Sequence, residues 1–125
     1  MDGLHLTADL GGCDPTAAAM TDPAALRALC LEGVRGAGLS PVGELFHRFP
    51  PPGGVTGVVL LAESHLAVHT WPELGAVTLD VYVCNLGADN SSRAESLLLA
   101  LIAAFAPREV GRRSVLRGTR SEATA

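Results

Sequence analysis

Within the run LLAESHLAVHTWPE, residues 60–73, a glutamate, a serine and two histidines interrupt side chains that otherwise suit a buried strand. Ser64 with His69 could serve as nucleophile and base, and Cys84 adds a thiol a little further on. A serine hydrolase would want a GxSxG elbow, which is missing here, and the sequence places no aspartate to orient His69. A metal site on His65 and His69 meets a geometric obstacle. On a strand rising ~3.3 Å per residue their Cα atoms are ~13 Å apart, too far for one ion. A metal would need His5 or His47 folded in beside one of them. The plain alternative puts Ser64 in a turn and leaves the histidines hydrogen-bonded at a sheet edge.

The elements that carry these residues can be read from side-chain periodicity. Leu4 to Leu10 alternates weakly and ends at GGCDP, a short strand and a turn. TDPAALRALCLEGVRGAG then reads as a helix, with Thr21 or Asp22 as cap, Pro23 in the first turn and Gly38 at the end. Leu26, Leu29, Cys30, Gly33, Val34 and Ala37 share one face of it, which makes Cys30 a small core hydrophobe. Val42 to Phe49 is a strand, and PPPGG at 50–54 is an extended loop able to border a site. Val55 to Ala62 reads as a buried strand in which Gly57 lets another group approach closely.

Leu66 to Trp71 continues as strand. Leu66 and Val68 point one way; His65, Ala67, His69 and Trp71 point the other. In Ala76 to Cys84, Val77, Leu79, Val81 and Val83 oppose Thr78, Asp80, Tyr82 and Cys84, so Cys84 falls on a polar face. A second helix begins near Asp89 to Ser92, where SRAE at 92–95 fits a capping box, and runs to Pro107. The tail from Arg108 is rich in arginine and reads as solvated, fraying over 119–125.

Composition removes whole classes of function. At 125 residues, 48% of them hydrophobic, the chain suits one domain, 1–125, with a single core. A net charge of -4 gives no general attraction to nucleic acid. No apolar run is long enough to span a membrane, and the acidic start MDGLHLTADL lacks a cationic signal region, so a cytoplasmic protein is expected. Cys13, Cys30 and Cys84 are odd in number and widely spaced, which argues against a disulfide framework or zinc knuckle. All nine basic residues are arginine. With no lysine, neither pyridoxal phosphate nor lysine imine chemistry is open to the chain, and any imine must use a carbonyl that the protein supplies.

Strand, helix, strands, helix, strand implies an α+β fold, an antiparallel sheet with helices on one face in two layers. Trp71 among the polar residues of the other face suggests that a second copy covers it.

ESH followed by HTWPE, with DVYVC downstream and FHRF at 46–49 and GVTGVV at 54–59 upstream, resembles the S-adenosylmethionine decarboxylase family in its short bacterial and archaeal form. The resemblance runs from Leu4 to about Gly118. It implies self-cleavage of the Glu63–Ser64 bond into a β chain, 1–63, and an α chain, 64–125, with Ser64 becoming a covalent pyruvoyl group that holds substrate as a Schiff base; neither pyridoxal phosphate nor metal is implied. By the same resemblance His69 is the proton acceptor in processing and Thr56 supports it. Cys84 is the proton donor to the α-carbon, Phe49 lies near the adenine, and Glu73 binds the ribose hydroxyls. The implied product is the aminopropyl donor of spermidine synthesis, and the implied assembly is a homodimer packed sheet to sheet as an αββα sandwich. The chain departs from the family at Asn85, where glycine is common, at Thr56, where serine is frequent, and in the length of PPPGG. A pyruvoyl-dependent arginine or ornithine decarboxylase, or an unprocessed regulatory subunit, are the alternative readings.

Overall fold

A computed structural model describes residues 2–119. Strand β1 (Gly3–Gly11) leads into a short helix α1 (Ala18–Thr21) and the longer α2 (Pro23–Gly36). Strands β2 (Pro41–Arg48), β3 (Val55–Leu61), β4 (Ser64–Trp71) and β5 (Ala76–Cys84) follow, with a 3-10 turn at Pro72–Leu74 between the last two. Helix α3 (Ser91–Phe105) and strand β6 (Glu109–Arg117) complete the chain. The six strands form one antiparallel sheet in the order β2-β3-β4-β5-β1-β6.

The alternation read from the sequence sets the two faces. Leu66 and Val68 of β4, Val77, Leu79, Val81 and Val83 of β5, and Leu6, Ala8 and Leu10 of β1 are buried together under α2 and α3. Helix α2 starts where its cap predicts: the Asp22 carboxylate accepts the Ala24 N–H at 2.9 Å and Pro23 takes the first helical position. Cys30 is fully buried on its inner face, and burial pushes its thiol up to about 12. The Phe46 ring lies where a Cβ on Gly57 would stand, the close approach expected of that glycine. Thr70 is the one buried polar side chain among the described residues; its hydroxyl donates to the Met20 carbonyl at 2.7 Å and accepts the Val55 N–H at 2.9 Å, tying α1 to β3 and β4.

Three readings are corrected. The SRAE capping box does not form, because α3 begins at Ser91 and places Ser92 inside the first turn; Asp89 instead accepts the Ser91 N–H at 2.9 Å. Strand β4 begins at Ser64 rather than Leu66. The arginine-rich segment is not merely solvated, since residues 109–117 pair along β1 as an edge strand, with Arg112 on Glu95 and Arg113 on Asp9. Charged side chains on such an edge also discourage further strand pairing. Of the expected frayed tail, all but Thr119 lies outside the described residues. No helix among the described residues is long and apolar enough to cross a membrane.

Candidate active site

Strands β3 and β4 are joined by the tight turn at Ala62 and Glu63, closed by the pairing of Leu61 with Ser64. Glu63 takes φ 56°, the left-handed region that a side chain normally avoids. Ser64 therefore opens β4 directly after a strained residue. Its Oγ accepts the Cys84 N–H at 3.1 Å, because β4 and β5 are neighbours and their register brings the start of one beside the end of the other. Cys84 is buried, yet lies outside the apolar core cluster, as its polar-face position requires.

A collar of amides fixes this thiol. Sγ accepts the Leu86 N–H at 3.4 Å, and Asn90 Nδ2 donates to the Cys84 carbonyl at 3.0 Å. Asn85 accepts the Asn90 N–H on Oδ1 at 2.8 Å and donates through Nδ2 to Ser91 Oγ at 3.2 Å. The departure at Asn85 thus builds the turn after the cysteine. Sequence reasoning missed Asn90, and the only available signal was its place just ahead of an apolar helical run.

A second cluster forms at the other end of β4. Thr56 pairs with His69 across β3 and β4, and Thr56 Oγ1 lies 3.0 Å from His69 Nδ1. Trp71 stacks on His69 with ring centres 5.9 Å apart. Thr56 and Trp71 border a cavity of about 200 Å³ whose wall also includes Phe49, Pro52, Gly54 and Glu73. The proline loop does border this hollow, and the Pro72–Leu74 turn carries Glu73 into it. His47 packs edge-on against Phe49 at 4.7 Å. A larger hollow of about 570 Å³ lies between α2 and α3 on the opposite side of the sheet; it is lined mostly by small and apolar residues and contains none of the site residues expected from the sequence.

The expected residues therefore fall into two groups. Ser64 and Cys84 are together; Thr56, His69, Phe49 and Glu73 are together. Five steps of strand hold Ser64 and His69 ~16 Å apart. They do not meet within one chain.

The sequence profile of the S-adenosylmethionine decarboxylase family matches residues 4–118. The chain belongs to this family. It is 39% identical over 104 residues to the S-adenosylmethionine decarboxylase proenzyme of Pyrococcus furiosus, covering 83% of this chain and 73% of that one. The proenzyme of Persephonella marina is 38% identical over 117 residues, 94% of this chain and 83% of the other. Among solved structures, the adenosylmethionine decarboxylase of Aquifex aeolicus superposes with a TM-score of 0.85 at 36% identity, over 96% of this chain and 93% of that one. The Trypanosoma brucei AdoMetDC-delta26 monomer gives a TM-score of 0.58 at 14% identity, over 87% of this chain and 44% of the other, a likeness of fold alone. Membership brings with it the expectation of a group made from the chain itself. The residues present fit that expectation, since a serine hydroxyl follows a strained peptide and lies against a buried thiol residue.

Proposed function

We propose that the chain is a self-processing decarboxylase that converts S-adenosylmethionine to its decarboxylated form, the aminopropyl donor of spermidine synthesis, in the cytoplasm. The observation that carries the reading is the contact of Ser64 Oγ with the Cys84 backbone directly after the strained Glu63. Ser64 Oγ attacks the Glu63 carbonyl, the amide shifts to an ester, and elimination frees the β chain, 1–63, from the α chain, 64–125, leaving a dehydroalanine whose imine tautomer is hydrolysed by water with release of ammonia. The pyruvoyl group left at the former Ser64 supplies a ketone that captures the substrate amine and accepts electrons as carbon dioxide leaves. Cys84 holds the proton that the α-carbon then takes up. Its thiol is oriented for this by the Leu86 N–H.

The second cluster supplies the remaining roles. His69, aligned by Thr56 through Nδ1, takes the proton released during processing. Phe49 stacks on the adenine and Glu73 accepts hydrogen bonds from the ribose hydroxyls. Since the clusters stay apart within one chain, two chains form each site: Ser64 and Cys84 of one copy meet Thr56, His69, Phe49 and Glu73 of the other in a homodimer packed sheet to sheet.

A complementation experiment tests this arrangement. Chains carrying Ser64→Ala and chains carrying His69→Ala are each expected to stay uncut alone. Coexpressed, they form a mixed dimer with one complete site, and the chain that keeps Ser64 is cleaved and releases carbon dioxide from S-adenosylmethionine. Failure of any mixture to cleave, with mixed dimers demonstrated by mass, would refute the shared site.

A further inference from the structure

The requirement that the sequence set for a metal site is met on the open face of the sheet, where β1 brings His5 beside His65. We propose that His5, His65 and Asp80 form a binding site for one divalent transition-metal ion of the zinc class. His5 and His65 both stand opposite Tyr82, one from β1 and one from β4, so their rings emerge on either side of β5 and converge on Asp80 of that strand. His65 Nε2 lies 3.1 Å from Asp80 Oδ1, and His5 Nε2 lies 3.5 Å from the same oxygen. All three ligand atoms fall within 4.8 Å of one another. In a tetrahedral site with bonds near ~2.1 Å, neighbouring ligand atoms are ~3.4 Å apart, so little movement separates this arrangement from coordination.

Two features prepare the site. His5 Nε2 is shielded from water and has no hydrogen-bond partner, the Asp80 oxygen being within ion-pair reach but outside hydrogen-bond geometry. A buried nitrogen left in that state costs free energy that a metal bond would remove. The rings are also held in place. His65 stacks on Tyr82 at 5.9 Å, and His5 meets Tyr82 edge-on at 5.9 Å and His65 edge-on at 6.1 Å. Three protein ligands leave a fourth position for water, or for a group from a covering copy.

Arg117 is the competitor. Its Nη1 lies 3.4 Å from His5 Nδ1 and its guanidinium lies over Tyr82, so a monovalent cation already occupies this electron-rich corner. While Arg117 donates to Nδ1, the ring proton sits on Nε2. Metal binding moves that proton off Nε2 and requires the exposed arginine on edge strand β6 to swing away. The other charges on this stretch of the face are engaged with each other, Arg113 with Asp9 at 3.1 Å.

The test uses the full chain, stripped with a chelator and titrated with Co²⁺ and then Zn²⁺. One Co²⁺ per chain is expected, with the intense visible bands of a tetrahedral centre, bleached by stoichiometric Zn²⁺. His65→Ala and Asp80→Asn should each weaken binding at least about tenfold, since even groups that only orient ligands are worth that much. Arg117→Ala, a change at an exposed edge, should tighten it. Absence of the bands in the folded parent chain, equal binding by parent and Asp80→Asn, or no gain from Arg117→Ala overturns the proposal. Loss of Co²⁺ binding in Cys84→Ser with retention in Asp80→Asn would also overturn it, by placing the ion on the thiol.

Discussion

Glu63 carries the most direct test of how the fold drives its own cleavage. At φ 56° it occupies a backbone conformation that costs a residue with a side chain about 1–2 kcal/mol and costs glycine almost nothing. In the proposed processing step that energy is stored at the carbonyl which Ser64 attacks and is released once the peptide breaks. Glu63→Gly removes it from the folded precursor, so cleavage should slow by roughly 5- to 30-fold, the factor that corresponds to 1–2 kcal/mol. Equilibrium stability, measured by urea unfolding in the uncleavable Ser64→Ala background, should rise by less, about 0.5–1 kcal/mol. Glycine also frees the unfolded chain, and this offsets part of the relief without touching the cleavage rate. Intact mass against time gives the rate. Glu63→Ala is the control, since it keeps the Cβ and the strain while losing the carboxylate, and it should cleave close to the parent rate. A Glu63→Gly chain that cleaves as fast as the parent, or a Glu63→Ala chain slowed equally, refutes the strain argument.

Ser64→Ala should remain one polypeptide without decarboxylase activity, and Cys84→Ser should cleave normally but release carbon dioxide about 10²- to 10⁴-fold more slowly, the usual worth of a placed proton donor; normal turnover by Cys84→Ser would remove the thiol from that role. Thr70→Val leaves the Met20 carbonyl and the Val55 N–H without their buried partner and should cost about 2–4 kcal/mol in urea unfolding at unchanged slope. The Asp89 carboxyl is held below its usual range by the Ser91 backbone N–H and then by the Ser91 side chain, and the Asp14 carboxyl by the Thr16 hydroxyl and then by the Thr16 backbone N–H. A lowered folded value means that their stabilisation is complete above the unfolded value near ~3.9 and disappears as pH falls below it through the folded values. Thermal melts from pH 5 downward should therefore show a smaller acid loss in Asp89→Asn, and an unchanged acid limb would contradict the assignment.

The strands, and which face each side chain takes, could be read from alternation, because a strand buried on one side repeats every second residue. That alone put Cys84 on the polar face and Leu66, Val68 and the β5 valines in the core. The start of α2 was equally plain, since Asp22 and Pro23 act within one turn. What local pattern does not encode is which strands become neighbours. The contact of Ser64 with Cys84 depends on β4 pairing with β5, and the convergence of His5 and His65 depends on β1 pairing with β5 from across the chain. Strand β6 was obscured by its own arginines, which an edge strand tolerates because one side and both rims meet solvent. The true start of α3 was obscured because Asp89 and Ser92 are both good capping types.

In the proposed homodimer, the separation of the two clusters makes each sheet one half of an enzyme. Both lie along β4, one at each end, and the face around His69 also exposes Leu45, Leu60, Trp71 and Val115. Two copies related by a two-fold axis must pair surfaces reciprocally, so that if residue i of one touches j of the other, j also touches i. An axis passing near the middle of β4 therefore lays the Ser64 end of each copy over the His69 end of the other and creates two complete sites at once. A chain with both clusters at one end would gain a site without a partner, and its open face would then need another reason to carry exposed apolar residues. On the shared arrangement one contact explains three observations: the ~16 Å gap between Ser64 and His69, the apolar residues left on the open face, and the polar groups set among them.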